Sequence, residues 1–138
     1  MITDDLAKEL PPGRVITDPD QIGAYCNDEH SYVTPGQPCG VVVAHERDDV
    51  VAAVRWASRN RVPVIPRGGG TGIVGGTAAV DGCLVISLAK MTAIRELSTE
   101  DELAVVEPGV INAELDRAAR KHGLMYAPDP SSYETCTI

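Results

Sequence analysis

Apolar positions along the chain fall into short runs separated by polar punctuation, and the spacing inside each run predicts its element. Residues 40–44, Gly-Val-Val-Val-Ala, predict a buried strand. Residues 47–60 predict a helix with Asp48 and Asp49 in the first turn, Val50, Val51, Val54 and Ala57 on one face, and Arg55 and Arg59 toward the end. Residues 62–66 predict a second strand whose prolines mark its ends or a sheet edge. Strand, helix and strand in that order normally make a right-handed parallel crossover. Two β-rich pieces follow, 83–88 and 103–107, separated by a connection over 90–101. A helix over 112–122 comes next, with Asn112 as its N-cap, Leu115, Ala118 and Ala119 inward, and Gly123 ending it. Ahead of all these, residues 4–10 predict a short helix capped by Thr3 and stopped at Pro11-Pro12-Gly13. Residues 17–38 are polar and broken by Pro19, Gly23, Pro35 and Gly36, which predicts helical turns and loop. The organisation read from this is a helical and loop lead-in over residues 1–39 and a domain over 40–138, without internal repeats.

Composition then removes several classes. A chain of 138 residues can take about two-thirds of its unfolded surface out of water, so it needs neither disulfides nor a structural metal to fold. Its longest apolar runs stop at four or five residues, far short of the roughly 20 that a membrane-spanning helix requires. The start, Met1 to Asp5, lacks the basic and apolar regions of a secretory signal, so a cytoplasmic location is expected. Cys26, Cys39, Cys83 and Cys136 contain no Cys-x-x-Cys pair and are read as free thiols. Cys26 and His30 are four apart and Cys39 and His45 six apart, neither the spacing of a known zinc-ligand pair, so no metal is expected. The net charge of −8 is unevenly spread: residues 1–50 carry −7, residues 51–90 carry +4, and residues 91–138 carry −5. An acidic chain without a Lys/Arg run is a poor match for nucleic acid, while its basic centre could draw a small anion.

Six of the thirteen glycines lie in the ten residues Arg67 to Gly76, directly after a predicted strand. Such a loop reaches positive φ angles and gathers bare N–H groups into one concavity, the way backbone cradles a phosphate; Arg67 and the Thr71 hydroxyl add donors at its edge. A Walker loop is excluded because Gly76-Thr77-Ala78 supplies no lysine. Gly70-Thr-Gly-Ile-Val-Gly75 matches the dinucleotide fingerprint, yet that pattern needs a helix to open at the loop, and only Thr77 to Gly82 precede the next strand. Two readings stay open: amides that bind pyrophosphate between two strands, and a flexible surface loop. His30, His45 and His122 match no catalytic motif.

Pro63 to Gly72, Val106 to Val110, Pro128 to Ser132 and Cys136 to Ile138, in this order, resemble the FAD-binding domain of the vanillyl-alcohol oxidase/p-cresol methylhydroxylase family of flavoproteins, and within it most resemble the FAD-linked subunit of glycolate oxidase and the D-lactate dehydrogenases. The resemblance covers roughly residues 25–138. It implies an α+β fold with a small, mainly parallel sheet flanked by helices, plus additional strands. It implies that Arg67, Gly68, Gly69, Gly70, Thr71, Gly72, Gly75 and Gly76 hold the FAD pyrophosphate. Pro108, Gly109 and Val110 would lie along the ribose and adenine side, and Pro128, Asp129, Ser131, Ser132, Thr137 and Ile138 would approach the isoalloxazine and ribityl chain. The loop carries Thr71 and no histidine, which implies non-covalent FAD. The implied activity is oxidation of a 2-hydroxy acid of the glycolate or D-lactate type by hydride transfer to FAD, with electrons passed to a quinone, a cytochrome or an electron-transfer subunit. The family places the substrate site in a later domain, so this chain is expected to be an N-terminal piece, catalytically silent and prone to self-association. A non-redox nucleotide-binding or interaction module, and a flavoprotein resembling UDP-N-acetylenolpyruvoylglucosamine reductase, are the alternatives.

Overall fold

A computed structural model describes residues 2–29 and 32–138. His30 lies outside the described residues. The chain builds β1 (Val15–Ile16), β2 (Gly40–Val43), β3 (Val64–Arg67) and β4 (Leu84–Ser87) into one sheet of order β1-β2-β4-β3. β2, β4 and β3 run parallel, and β1 joins antiparallel at the edge beside β2. Val41 faces Val85 and Val42 faces Ile86 across the central pair. Val42, Leu84 and Ile86 enter a core with Leu6, Leu10, Ala53 and Trp56, while Val41, Cys83 and Val85 enter a second core with Ile22, Cys26 and Ala79. Burial on both faces is why these strands read as continuous apolar runs rather than alternating ones. Both flanks draw on the lead-in: α1 (Leu6–Glu9) on one side, and α2 (Pro19–Ile22) with the turn after it on the other.

The long helix α3 (Arg47–Asn60) has the bounds predicted for it, but its buried face differs. Asp49, Ala53, Trp56 and Ala57 are buried, while Val54 is 45% exposed and Val50 and Val51 are partly buried. The helix is rotated so that Trp56, its largest side chain, meets the sheet. Asp49 tolerates burial because its carboxylate accepts from the His45 amide at 2.9 Å and from Arg14 Nε at 3.1 Å. The helix ends on Arg61, held in the left-handed region at φ 55°. β3 then takes the sheet edge, where Pro66 removes no interior ladder bond.

Three local expectations are corrected. The predicted helix over 4–10 is a 3-10 turn, Ile2–Asp4, followed by the short α1. Thr3 does not cap it: it is fully buried, and its hydroxyl finds no partner among the described residues. Residues 90–101, read as a connection, contain β5 (Ile94–Ser98), which pairs antiparallel with β6 (Leu103–Val106). A bulge between Ile94 and Glu96 breaks the two-residue period that would have signalled the strand. The last helix, α4 (Asn112–Arg120), is capped by Ile111 rather than Asn112 and stops short of His122. Asn112 sits one position inside, and its side-chain amide donates to Pro128 O at 3.2 Å.

Candidate glycine-loop site

Because β3 and β4 are parallel neighbours, the chain leaving β3 at Arg67 must travel back along the sheet to enter β4 at Leu84. Residues 68–83 make that return without a helix, burying Ala78 and Ala79 against the sheet. The glycine-rich stretch is the first part of this return, at the carboxyl end of the parallel strands, where open α/β sheets present their ligand crevice.

The tail docks onto this loop. The Gly69 amide donates to Thr137 Oγ1 at 3.2 Å. A Cβ on Gly68 would collide with the same hydroxyl, and one on Gly69 would lie 2.7 Å from Thr135 O. Thr137 also bridges antiparallel to Ile111, with Asn112 N donating to Cys136 O at 3.0 Å and Ile138 N to Val110 O at 3.0 Å. Ala113 N donates to Tyr133 O at 3.0 Å. The first amides of α4 are therefore satisfied by the chain itself, which leaves that helix N-terminus no free donors for an anion.

Of the residues singled out from sequence, the loop and Thr137 meet directly, and Val110 and Ile138 flank them. Pro128, Asp129 and Ser131 are exposed and Ser132 is half-buried; they reach the group through the Asn112–Pro128 bond and the turn from Ser132 O to Cys136 N. Val110 is fully buried, and Gly109 packs its backbone against the turn after β4, donating to Met91 O at 2.7 Å. A side chain at 109 would drive into Leu88 O and Met91 O, so this glycine serves internal packing.

The loop's own donors are unevenly spent. Gly75 N donates to Asp28 Oδ2 at 2.6 Å and Gly69 N is taken by Thr137, whereas among the described residues the amides of Gly70, Thr71, Gly72 and Gly76 have no acceptor. The Arg67 guanidinium folds over Gly70 and donates to Asn27 O and to Thr77 Oγ1. Arg55 and Arg59 lie on α3 and Arg61 directly follows it, so most of the basic charge counted for residues 51–90 belongs to that helix rather than to the loop. What the loop offers an anion is backbone N–H with one guanidinium beside it.

Residues 26–29 were not read as part of any site. They border the loop throughout: Cys26 O accepts from Ala79 N, Asn27 O from Arg67, and Asp28 from Gly75 N, while Glu29 N donates to Gly72 O at 3.1 Å. Nothing local in the sequence marks them, because each of these partners is forty or more residues away. The Cys26 thiol donates to Ile22 O at 3.4 Å, and burial pushes its pKa up, as it does for Cys39 and Cys83. A raised pKa lowers the thiolate fraction at neutral pH.

The model of a family described as FAD binding domain matches residues 38–138. The D-2-hydroxyglutarate dehydrogenase of Stutzerimonas stutzeri (strain A1501) is 36% identical over 131 residues, covering 95% of this chain and 28% of that protein. The glycolate oxidase subunit GlcD of Bacillus subtilis (strain 168) is 40% identical over 101 residues, covering 73% of this chain and 22% of that protein. The chain thus spans less than a third of the length of these relatives. Among solved structures, p-cresol methylhydroxylase superposes with a TM-score of 0.75 at 22% identity, over 89% of this chain and 24% of that one, which establishes the α+β fold.

Proposed function

The chain belongs to the FAD binding domain family, and from that premise we propose that its glycine loop holds the pyrophosphate of non-covalently bound FAD within a flavin-dependent oxidoreductase of 2-hydroxy acids. The observation that carries this is the set of open amides at Gly70, Thr71, Gly72 and Gly76, which meet no acceptor among the described residues, in a loop already fixed at Gly69 and Gly75. Donors held in place and left unpaired suit a pyrophosphate, which presents several anionic oxygens at once. Gly68, Gly69 and Gly75 shape this cradle, and Arg67, with one guanidinium nitrogen against Gly70, adds charge at its edge. Pro108, backed by the buried Gly109 and Val110, would lie on the ribose and adenine side, and Pro128, Asp129, Ser131, Ser132, Thr137 and Ile138 would lie toward the isoalloxazine.

Bound there, FAD would supply the redox chemistry as a hydride acceptor, and the protein would supply binding and orientation. Relatives named for glycolate oxidase and D-2-hydroxyglutarate dehydrogenase support a 2-hydroxy acid as the substrate of the whole protein. Its electrons would pass to a quinone or an electron-transfer subunit. No described helix is long and apolar enough to cross a membrane, and the cytoplasm is the location proposed.

The test is a titration of the purified chain with FAD, read by flavin fluorescence and visible absorbance. Saturable quenching with an absorbance shift is expected. Absence of saturable binding, both here and in a longer form continuing past Ile138, would overturn the flavin reading.

A further inference from the structure

Residues 26–29 lie before the segment that the family model matches, which begins at residue 38, yet they make four consecutive hydrogen-bonded attachments to the glycine loop. Ala79 N to Cys26 O spans 2.9 Å, Arg67 bonds Asn27 O, Gly75 N to Asp28 Oδ2 spans 2.6 Å, and Glu29 N to Gly72 O spans 3.1 Å. Cys26 anchors the strap, buried in the core beneath the sheet. We propose that Cys26–Glu29 is a positioning strap for the flavin cradle, and that Asp28 is its working residue, holding the Gly75 amide so that the neighbouring amides face outward.

Gly75 sits at φ +77°, a conformation that glycine enters freely and therefore also leaves freely. An ionised carboxylate accepting its N–H is among the stronger local restraints available. Fixing Gly75 fixes the loop's far end; Thr137 on Gly69 fixes its near end; Gly72, held through its carbonyl by Glu29, is pinned between them. The amides of Gly70, Thr71, Gly72 and Gly76 are then placed before any ligand arrives, so that binding does not have to order them. The opposite role for the same contact is a latch, in which Asp28 occupies a donor that the phosphate itself would use. Its placement favours the strap, because the rest of the segment grips the loop on both sides of Asp28 and has no freedom to swing away alone.

The proposal rests on the flavin reading above, and the experiment separates the two. Asp28→Ala and Asp28→Asn are compared with the unaltered chain by FAD titration, by hydrogen exchange at the Gly75 amide without FAD, and by thermal unfolding. The asparagine retains an oxygen that can accept from Gly75, and the alanine does not. For Asp28→Ala, Gly75 exchange accelerates and FAD affinity falls by about tenfold, the scale of one lost charge-assisted bond; Asp28→Asn stays within about threefold on both readouts. Tighter FAD binding by Asp28→Ala would establish the latch and overturn the strap. Unchanged affinity with accelerated exchange would overturn the role toward the cofactor, and unchanged exchange would overturn the restraint itself. If the unaltered chain and its longer form bind no FAD while Gly75 still responds to Asp28→Ala, the flavin reading fails and the cofactor role falls with it, leaving a purely structural restraint.

Discussion

Thr137 performs two functions for the glycine loop: its hydroxyl accepts from Gly69 N at 3.2 Å, and it occupies the space a side chain on Gly68 would need. Valine at 137 keeps the shape and removes the acceptor. Because Gly69 is exposed, water can take over its amide, so Thr137→Val is expected to lower stability by about 1 kcal/mol or less. FAD affinity should fall more clearly, by several-fold, since the near end of the loop is loosened; parallel melting and flavin-titration curves check both, and an unmoved affinity would show that Thr137 does not organise the cradle. The glycines and Thr137 stand out in the sequence because their chemistry is local. Asp28 does not, since an aspartate followed by a glutamate in a polar stretch also describes any solvated turn.

At the scale of elements, hydrophobic period located α3 and the parallel strands well and located β5 badly. A strand whose pairing slips at Ile94 and Glu96 has no single repeat to detect. The β5–β6 hairpin is tied to the following turn by Glu107, a carboxylate that accepts from Ala93 N at 2.8 Å and from Arg95. The Ala93 amide first, and the Arg95 side chain second, hold the Glu107 carboxyl below the usual carboxylate range. A carboxyl depressed in the folded state adds stability at pH values above its unfolded pKa, and that stability is lost as pH falls through the lower folded value. Glu107→Gln should therefore melt below the unaltered chain at about pH 7, with the difference closing as pH drops through and below about 4. Thermal unfolding of both across that range checks it; a difference independent of pH would assign the effect to packing instead of charge.

Over the whole molecule the two sheets differ in how they are covered. The four-stranded sheet has a core on each face, whereas the hairpin leaves Ile94, Leu103 and Val105 at 37%, 50% and 46% exposure. Beside it runs an apolar groove of about 400 Å³ lined by Leu97, Leu103, Leu115, Met125 and Ile138. Two strands with open edges next to such a groove invite pairing with another copy of the chain, and we propose self-association through this face. Sedimentation should show a concentration-dependent shift that Leu103→Lys with Val105→Lys abolishes; a monomer at all concentrations would refute it.

By itself, the sequence located the parallel strands, the length of α3 and a glycine-rich loop free of helix. Each of these follows from neighbours in the chain: apolar runs, a fourteen-residue helical period, and six glycines crowded into ten positions. Only the tertiary structure decided which face of α3 is buried, that Gly109 serves backbone packing, and that the tail satisfies the amides of α4. It alone decided that Asp28 and Thr137 bond to opposite ends of the glycine loop, across 47 and 68 residues of chain. The physical reason is that periodicity and propensity act between close neighbours, while a hydrogen bond closing so long a loop leaves no trace in the local pattern at either end.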